Sequence, residues 1–93
     1  MSERAAEDED YSGPAVPRRL LEFLAESLVE EPEEVSVTEV ETDSGTTVLE
    51  LSVAAEDYGR VIGRGGRTAR ALRTVVKAAA TSEDCHVLVD IVD

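Results

Sequence analysis

Glycines cluster at one point of this sequence, where Gly63, Gly65 and Gly66 fall within four residues. Glycine adopts positive φ at no steric cost and lets another molecule approach the backbone closely. A helical pattern over residues 67–81 follows at once. The first N–H groups of that helix therefore point toward whatever lies over the turn, a geometry that suits anions. The segment predicts a phosphate-binding turn between two helices, and it strongly limits the folds open to the chain.

Positive charge gathers around the same turn. The segment 58–80 has six cations and no acid, although the 93-residue chain has a net charge of −12, so the other residues carry −18. Such a balance disfavours nonspecific binding to nucleic acid or anionic membranes. It does not exclude a local site, because salt limits exposed charges to a range of about 8 Å. The alternative is a helical corner with solvated arginines. The six cations are Arg60, Arg64, Arg67, Arg70, Arg73 and Lys77.

The remaining patterns predict one small α+β domain. Pro17 suits the first turn of a helix, Pro32 ends that helix, and β-branched alternation marks two strands around a turn. The predicted elements are a helix over 17–30, strands over 35–42 and 46–53 joined by a turn at 43–45, a short helix that begins with Glu56 and Asp57 and ends at Ile62, the glycine turn at 63–66, a helix over 67–81 and a strand over 86–92.

The two ends of the chain lead to different expectations. Residues 1–16 carry five acids against one arginine, so we expect a disordered acidic tail, with the folded domain over 17–93. No apolar run approaches the roughly 20 residues of a membrane span, and the N-terminus does not resemble a signal peptide. We therefore expect a cytoplasmic protein with no membrane partner.

Two apolar surfaces follow from periodicity. The helix over 67–81 has one apolar face, opposite a face that carries its cations. The last strand is apolar on both sides, and Val40 and Val48 extend its second side if the hairpin is in that register. That second side is either ordinary surface valine or a protein interface. The apolar helix face comprises Leu72, Val75, Val76 and Ala79, and the strand's two sides are Val87, Val89 and Ile91, then Leu88 and Val92.

Several functional classes fail on residues and spacing. A P-loop needs a lysine after its glycines, and a dinucleotide-binding turn needs a preceding strand and a third spaced glycine, where this chain has Thr68. Cys85 and His86 point to opposite faces of a strand, so we expect no metal site. We find no catalytic group and expect no cofactor. Three aromatic residues are too few for an RRM or OB-type stacking surface.

The glycine turn resembles the Gly-x-x-Gly loop of the KH domain, which clamps the backbone of about four single-stranded nucleotides. Here the loop is Gly63–Gly66, it follows Val61-Ile62, and it lies between two helices. The order αββααβ is that of a type II KH domain. The chain is most similar to small bacterial single-KH proteins of the KhpA type, in the blocks 37–40, 61–63, 66–69, 76–80 and 91–93.

The resemblance implies a three-stranded mixed sheet with three helices on one face, and a non-catalytic protein that binds single-stranded RNA. The sequence departs from the family pattern in two ways: it has an extra acidic tail, and it has Gly65 at a loop position where a polar side chain is common. The implied contacts are Gly63 and Gly66 for loop shape, Arg64 and the Gly65 amide for phosphates, Val61 and Ile62 for bases, and Arg60, Arg67 and Arg70 for further backbone contacts.

The same resemblance implies partners and a role. KhpA-like proteins are associated with homodimers, with heterodimers with a larger KH-containing protein of the Jag/KhpB type, and with post-transcriptional control of cell elongation and division. An RNA chaperone role and an effect on cell shape and wall biogenesis are included in that expectation. Because the chain is so acidic, the alternative is a dimerising subunit that binds RNA weakly or only with its partner.

Overall fold

The computed structural model describes residues 15–92. Most of the predicted acidic tail lies outside this range, but the first helix already includes its last two residues. The predicted order αββααβ is confirmed. The elements are α1 (Ala15–Leu28), β1 (Ser36–Glu41), β2 (Thr47–Ser52), α2 (Tyr58–Ile62), α3 (Arg67–Ser82) and β3 (Val87–Ile91), with 3₁₀ turns at Pro32–Glu34, Ala55–Asp57 and Arg64–Gly66.

The three strands form one mixed sheet in the order β1-β2-β3. β1 and β2 are antiparallel and are joined by a tight turn in which Gly45 has a φ of 91°. β2 and β3 are parallel, so a crossover must connect them. That crossover consists of α2, the glycine turn and α3, and the turn is therefore held between two packed helices.

The core lies between the sheet and the helices. Its side chains come from one face of β2 and β3, from α1 and from the two crossover helices. Among residues 15–92, no aromatic ring belongs to the buried cluster, so tight contacts among short aliphatic groups build the core. The members of this cluster with no exposed surface are Leu21, Ala25, Leu49, Leu51, Val61 and Val76.

The buried face of α3 differs from the prediction at one edge. Leu72 and Val76 are buried as expected, but Val75 is 45% exposed. Alanines at 69 and 80 are buried instead, which moves the centre of the buried face by about 50° around a helix of 100° per residue. These small side chains let α3 lie close to the sheet. The predicted face included Ala79, which is only partly buried, but neither Ala69 nor Ala80.

The outer face of the sheet confirms the predicted register. Val40 is opposite Val48, and Val48 is opposite Leu88. Val40 and Leu88 are 40% and 50% exposed. The three side chains therefore form an apolar row across all three strands, on the face that no helix covers.

The boundaries of the strands and of the first helix also differ from the predicted ones. Each strand is one residue shorter at both ends than predicted. At five of these six ends the extra residue is a β-branched Val or Thr, which continues the strand pattern beyond the last paired residue. The helix predicted over 17–30 instead spans Ala15–Leu28. The amides of Glu30 and Glu31 bond to a side chain distant in sequence, which ends the helix before Pro32.

Candidate nucleic-acid interface

The backbone of the glycine turn has the conformation that glycine was predicted to permit. Gly63, Gly65 and Gly66 have φ angles of 77°, 63° and 79°, a region that L side chains enter only at a cost. The amide of Gly66 donates to the carbonyl of Gly63 over 3.1 Å. The turn is thus tight and runs directly into α3, whose first amides have no partner within the helix.

The glycines differ in how much space surrounds them. A Cβ on Gly63 would lie 2.7 Å from the Cβ of Thr68 and 2.9 Å from its backbone nitrogen, so no side chain fits there. At Gly65 no atom lies within 4 Å of the equivalent position. Gly63 therefore serves the packing of the turn, whereas the backbone at Gly65 is open to a ligand.

Cations near the turn divide into two groups. Within residues 15–92, the side chains of Arg64, Arg67 and Lys77 make no hydrogen bond or ion pair, and all three residues are exposed. Arg70 donates to the carbonyl of Gly65 over 3.3 Å and is also exposed. These side chains are available to a ligand without breaking an internal ion pair.

The second group of cations is already engaged. Arg60 pairs with Asp57 at 3.2 Å and with Glu30 at 2.8 Å. The Nε of Arg73 donates to the carbonyl of Val89 over 3.2 Å. Helical periodicity had grouped Arg73 with Arg70, and the sequence run had grouped Arg60 with Arg64. Only the tertiary structure separates engaged cations from free ones.

The two predicted base-contacting residues also separate. Ile62 is 37% exposed beside the turn, and its side chain is available to a base. Val61 has no exposed surface and belongs to the core. In this conformation the side chain of Val61 offers no surface to a base. Val61 instead anchors α2, the helix that leads into the turn.

Asp57 has a tertiary role that sequence reasoning did not find. It lies at the start of the short helix, as predicted, but its side chain does not cap that helix. It is 1% exposed and accepts hydrogen bonds from the amides of Glu30 and Glu31, each over 3.1 Å. The sequence shows only an aspartate next to the basic segment. That position does not indicate that its carboxylate binds the amides of Glu30 and Glu31.

Acidic side chains surround this aspartate. The pKa of Glu31 is raised above its ordinary value, chiefly by the charge of Glu56 and further by burial, Glu33, Asp57 and Glu34. The potential on this side of α2 is thus negative, while the turn and the exposed face of α3 are positive. A phosphate backbone is attracted to one side of the turn and repelled from the other.

Other kinds of site receive no support in the described part of the chain. Residues 15–92 contain no group of three His, Cys, Asp or Glu side chains that could hold a metal ion. Cys85 is a free thiol. No helix between residues 15 and 92 is long and apolar enough to cross a bilayer.

Two helices joined by a Gly-x-x-Gly loop, in the order αββααβ over a mixed three-stranded sheet, define a type II KH domain. A crystal structure of Aquifex aeolicus Era bound to GDP·AlF4− has this fold, with a TM-score of 0.57 at 15% identity. The match covers 82% of this chain and 29% of that one. It supports the fold alone.

The chain belongs to the KhpA/KhpB KH-domain family, whose model matches residues 18–91. It is 53% identical over 75 residues to the RNA-binding protein KhpA of Clostridium acetobutylicum, covering 81% of this chain and 99% of that protein. It is 47% identical over 76 residues to the RNA-binding protein KhpA of Halalkalibacterium halodurans, covering 82% and 99%. The resemblance drawn from the sequence is confirmed at the level of the family.

Proposed function

We propose that this chain is a non-catalytic, single-stranded RNA-binding protein that grips the RNA backbone with the Gly63–Gly66 loop. The names of its relatives support RNA binding in general. Acting in the cytoplasm, it takes part in post-transcriptional regulation linked to cell elongation and division, as the family resemblance implies.

One observation carries the assignment of the loop. Arg64 and Arg67 flank an open backbone position and, within residues 15–92, their side chains have no internal partner. Phosphate matches both the exposed guanidinium groups and the positive N-terminal end of α3. In this arrangement Ile62 contacts a base, while Arg64, Arg67 and Arg70 contact the backbone.

The loop assignment is tested by changing Arg64→Asp together with Gly65→Asp. We expect this double variant to lose binding to a short fluorescein-labelled RNA of random sequence, with its circular dichroism unchanged. Anisotropy titration measures the affinity. Unchanged affinity in the folded variant contradicts the assignment.

The second candidate function is that of a dimerising subunit that binds RNA weakly or only with a partner. Two exposed apolar sites favour it. One is the row Val40, Val48 and Leu88 on the open face of the sheet. The other lies between α1 and α3, where Leu28 and Val75 are 38% and 45% exposed. A second copy or a larger KH-containing protein of the KhpB type is the proposed partner.

Sedimentation velocity with and without RNA distinguishes the two functions. For a dimerising subunit we expect a concentration-dependent dimer in the absence of RNA. Either Leu88→Asp or Val75→Asp then converts it to a monomer, depending on which site forms the interface. A protein that stays monomeric over the whole accessible concentration range argues against self-pairing. Co-purification with the KhpB-type protein tests the heterodimer.

A further inference from the structure

We infer that Asp57 and Arg60 are positioning residues that hold the Gly63–Gly66 loop in place, and that Arg60 does not contact RNA phosphate. This inference rests on the proposed function of the loop and changes the role expected for Arg60. It identifies a connection between the segment after α1 and the short helix that carries the loop.

The buried carboxylate of Asp57 is fully satisfied inside the protein. A buried carboxylate is costly unless hydrogen bonds and a counter-charge compensate for lost water. Here one oxygen accepts from the amide of Glu30 and from Arg60 Nη1, and the other accepts from the amide of Glu31. Three donors satisfy the ionised group. Its bonds to the two amides span 27 and 26 residues of sequence, so Asp57 links two separate parts of the chain.

This link supports the helix that leads into the loop. Asp57 immediately precedes α2, and α2 has only five residues before Gly63. So short a helix has little stability of its own, and its orientation depends on anchors. Tyr58 provides one through a hydrogen bond to the carbonyl of Val92, and the buried Val61 provides another. Asp57 fixes the end of α2 that faces the segment after α1.

Arg60 is held by the same acidic cluster. Its guanidinium bridges Asp57 and Glu30, with nitrogen–oxygen distances of 3.2 and 2.8 Å. Glu31 and Glu56 add negative charge around this pair, as the raised pKa of Glu31 indicates. An RNA phosphate would have to displace one carboxylate and approach the others. The arginines of the loop itself meet no such competition within residues 15–92.

Salt dependence separates a positioning arginine from a contacting one. Each phosphate contact on single-stranded nucleic acid contributes about 0.7 to the slope of log affinity against log salt. We expect Arg64→Gln to reduce the slope by about 0.7. We expect Arg60→Gln to leave the slope unchanged while it weakens binding at every salt concentration, because the loop is less ordered.

Asp57→Asn is the companion variant, with Glu56→Gln as its matched control. Asp57→Asn keeps the side-chain size and removes the charge, whereas Glu56 is exposed beside it. We expect Asp57→Asn to weaken binding of the random-sequence RNA by about threefold to thirtyfold, the usual size of effects from residues that touch no ligand. Amide hydrogen exchange at Gly63, Gly65 and Gly66 should become faster. Measurements are made at a temperature where circular dichroism shows every variant folded.

Three outcomes decide the matter. If Arg60→Gln reduces the salt slope as Arg64→Gln does, Arg60 is a phosphate contact and the inference is wrong. If folded Asp57→Asn binds RNA like the wild type and its loop amides exchange at the wild-type rate, Asp57 serves stability alone, which also overturns the inference. If Arg64→Gln changes neither affinity nor slope, the proposed function of the loop fails, independently of Asp57.

Discussion

The double variant Arg64→Asp with Gly65→Asp tests whether the loop binds RNA. It replaces two exposed residues at the tip of the loop and disturbs the fold little. Arg64 has no partner within residues 15–92, so its loss removes no internal bond. Gly65 has a φ of 63° with open space around it. A non-glycine residue there costs about 1 kcal/mol, and aspartate is among the residues that tolerate this conformation best.

The expected effect on stability is therefore small. A destabilisation of about 1 kcal/mol lowers the melting temperature of a domain of this size by about 4–8 °C.

The effect on binding is larger. The two changes remove one positive charge and add two negative ones beside the phosphates. Each such change is worth about 1 kcal/mol at 4 Å even in bulk water. Together they reach about 3 kcal/mol, a loss of about a hundredfold in affinity.

The control is Ser44→Asp with Gly45→Asp at the β1–β2 turn. Gly45 also has a positive φ, 91°, and no atom lies within 4 Å of the position that a Cβ would occupy there. This pair thus adds two negative charges and similar backbone strain away from the loop. We expect its anisotropy titration to match the wild type within about threefold, since exposed charges beyond about 8 Å are screened. Equal losses in both variants would attribute the effect to net charge and refute the argument.

Two further predictions concern stability. Gly63→Ala should lower the free energy of unfolding by about 2–5 kcal/mol, from backbone strain and the clash with Thr68; urea denaturation measures it. Gly59→Ala is the control, because no atom lies within 4 Å of the added methyl; it should be neutral or stabilising by up to about 1 kcal/mol. A similar loss of stability in Gly63→Ala and Gly59→Ala would contradict the steric explanation. Glu31→Gln should raise the melting temperature at neutral pH and have no effect at pH about 3, because a raised pKa means that ionisation opposes folding as pH rises above the ordinary value of 4.5. Glu83→Gln is its control, and an equal gain in melting temperature at both pH values would contradict the assigned repulsion.

The elements of this fold were predictable because each depends on nearby residues. Period-two alternation marked the strands, helical spacing with Pro17 and Pro32 marked α1, and the glycines of Gly63–Gly66 marked the turn. The order of the elements and the glycine motif together were enough to predict the KH fold. The ends of the strands were less predictable, because the β-propensity of a residue does not show where hydrogen bonding to the neighbouring strand stops.

The candidate site was predictable only as a segment. The basic run around the glycines was visible, but the sequence treats Arg60 and Arg64 as equivalent neighbours. In the structure one is bound to two carboxylates and the other has no partner within residues 15–92. The same holds for Val61 and Ile62, of which one is buried and the other exposed. Val61 and Ile62 are adjacent on this short helix, and only packing decides which of the two side chains faces the core.

The sequence by itself thus determined that two helices enclose a tight glycine turn amid positive charge, because positive φ and helical periodicity are local properties. The tertiary structure alone decided which of those charges are free. Asp57 reaches the backbone of Glu30 and Glu31 across 27 and 26 residues, and no local pattern encodes such a contact. It forms only when packing of α1 and α2 brings the segments together and excludes water from the carboxylate.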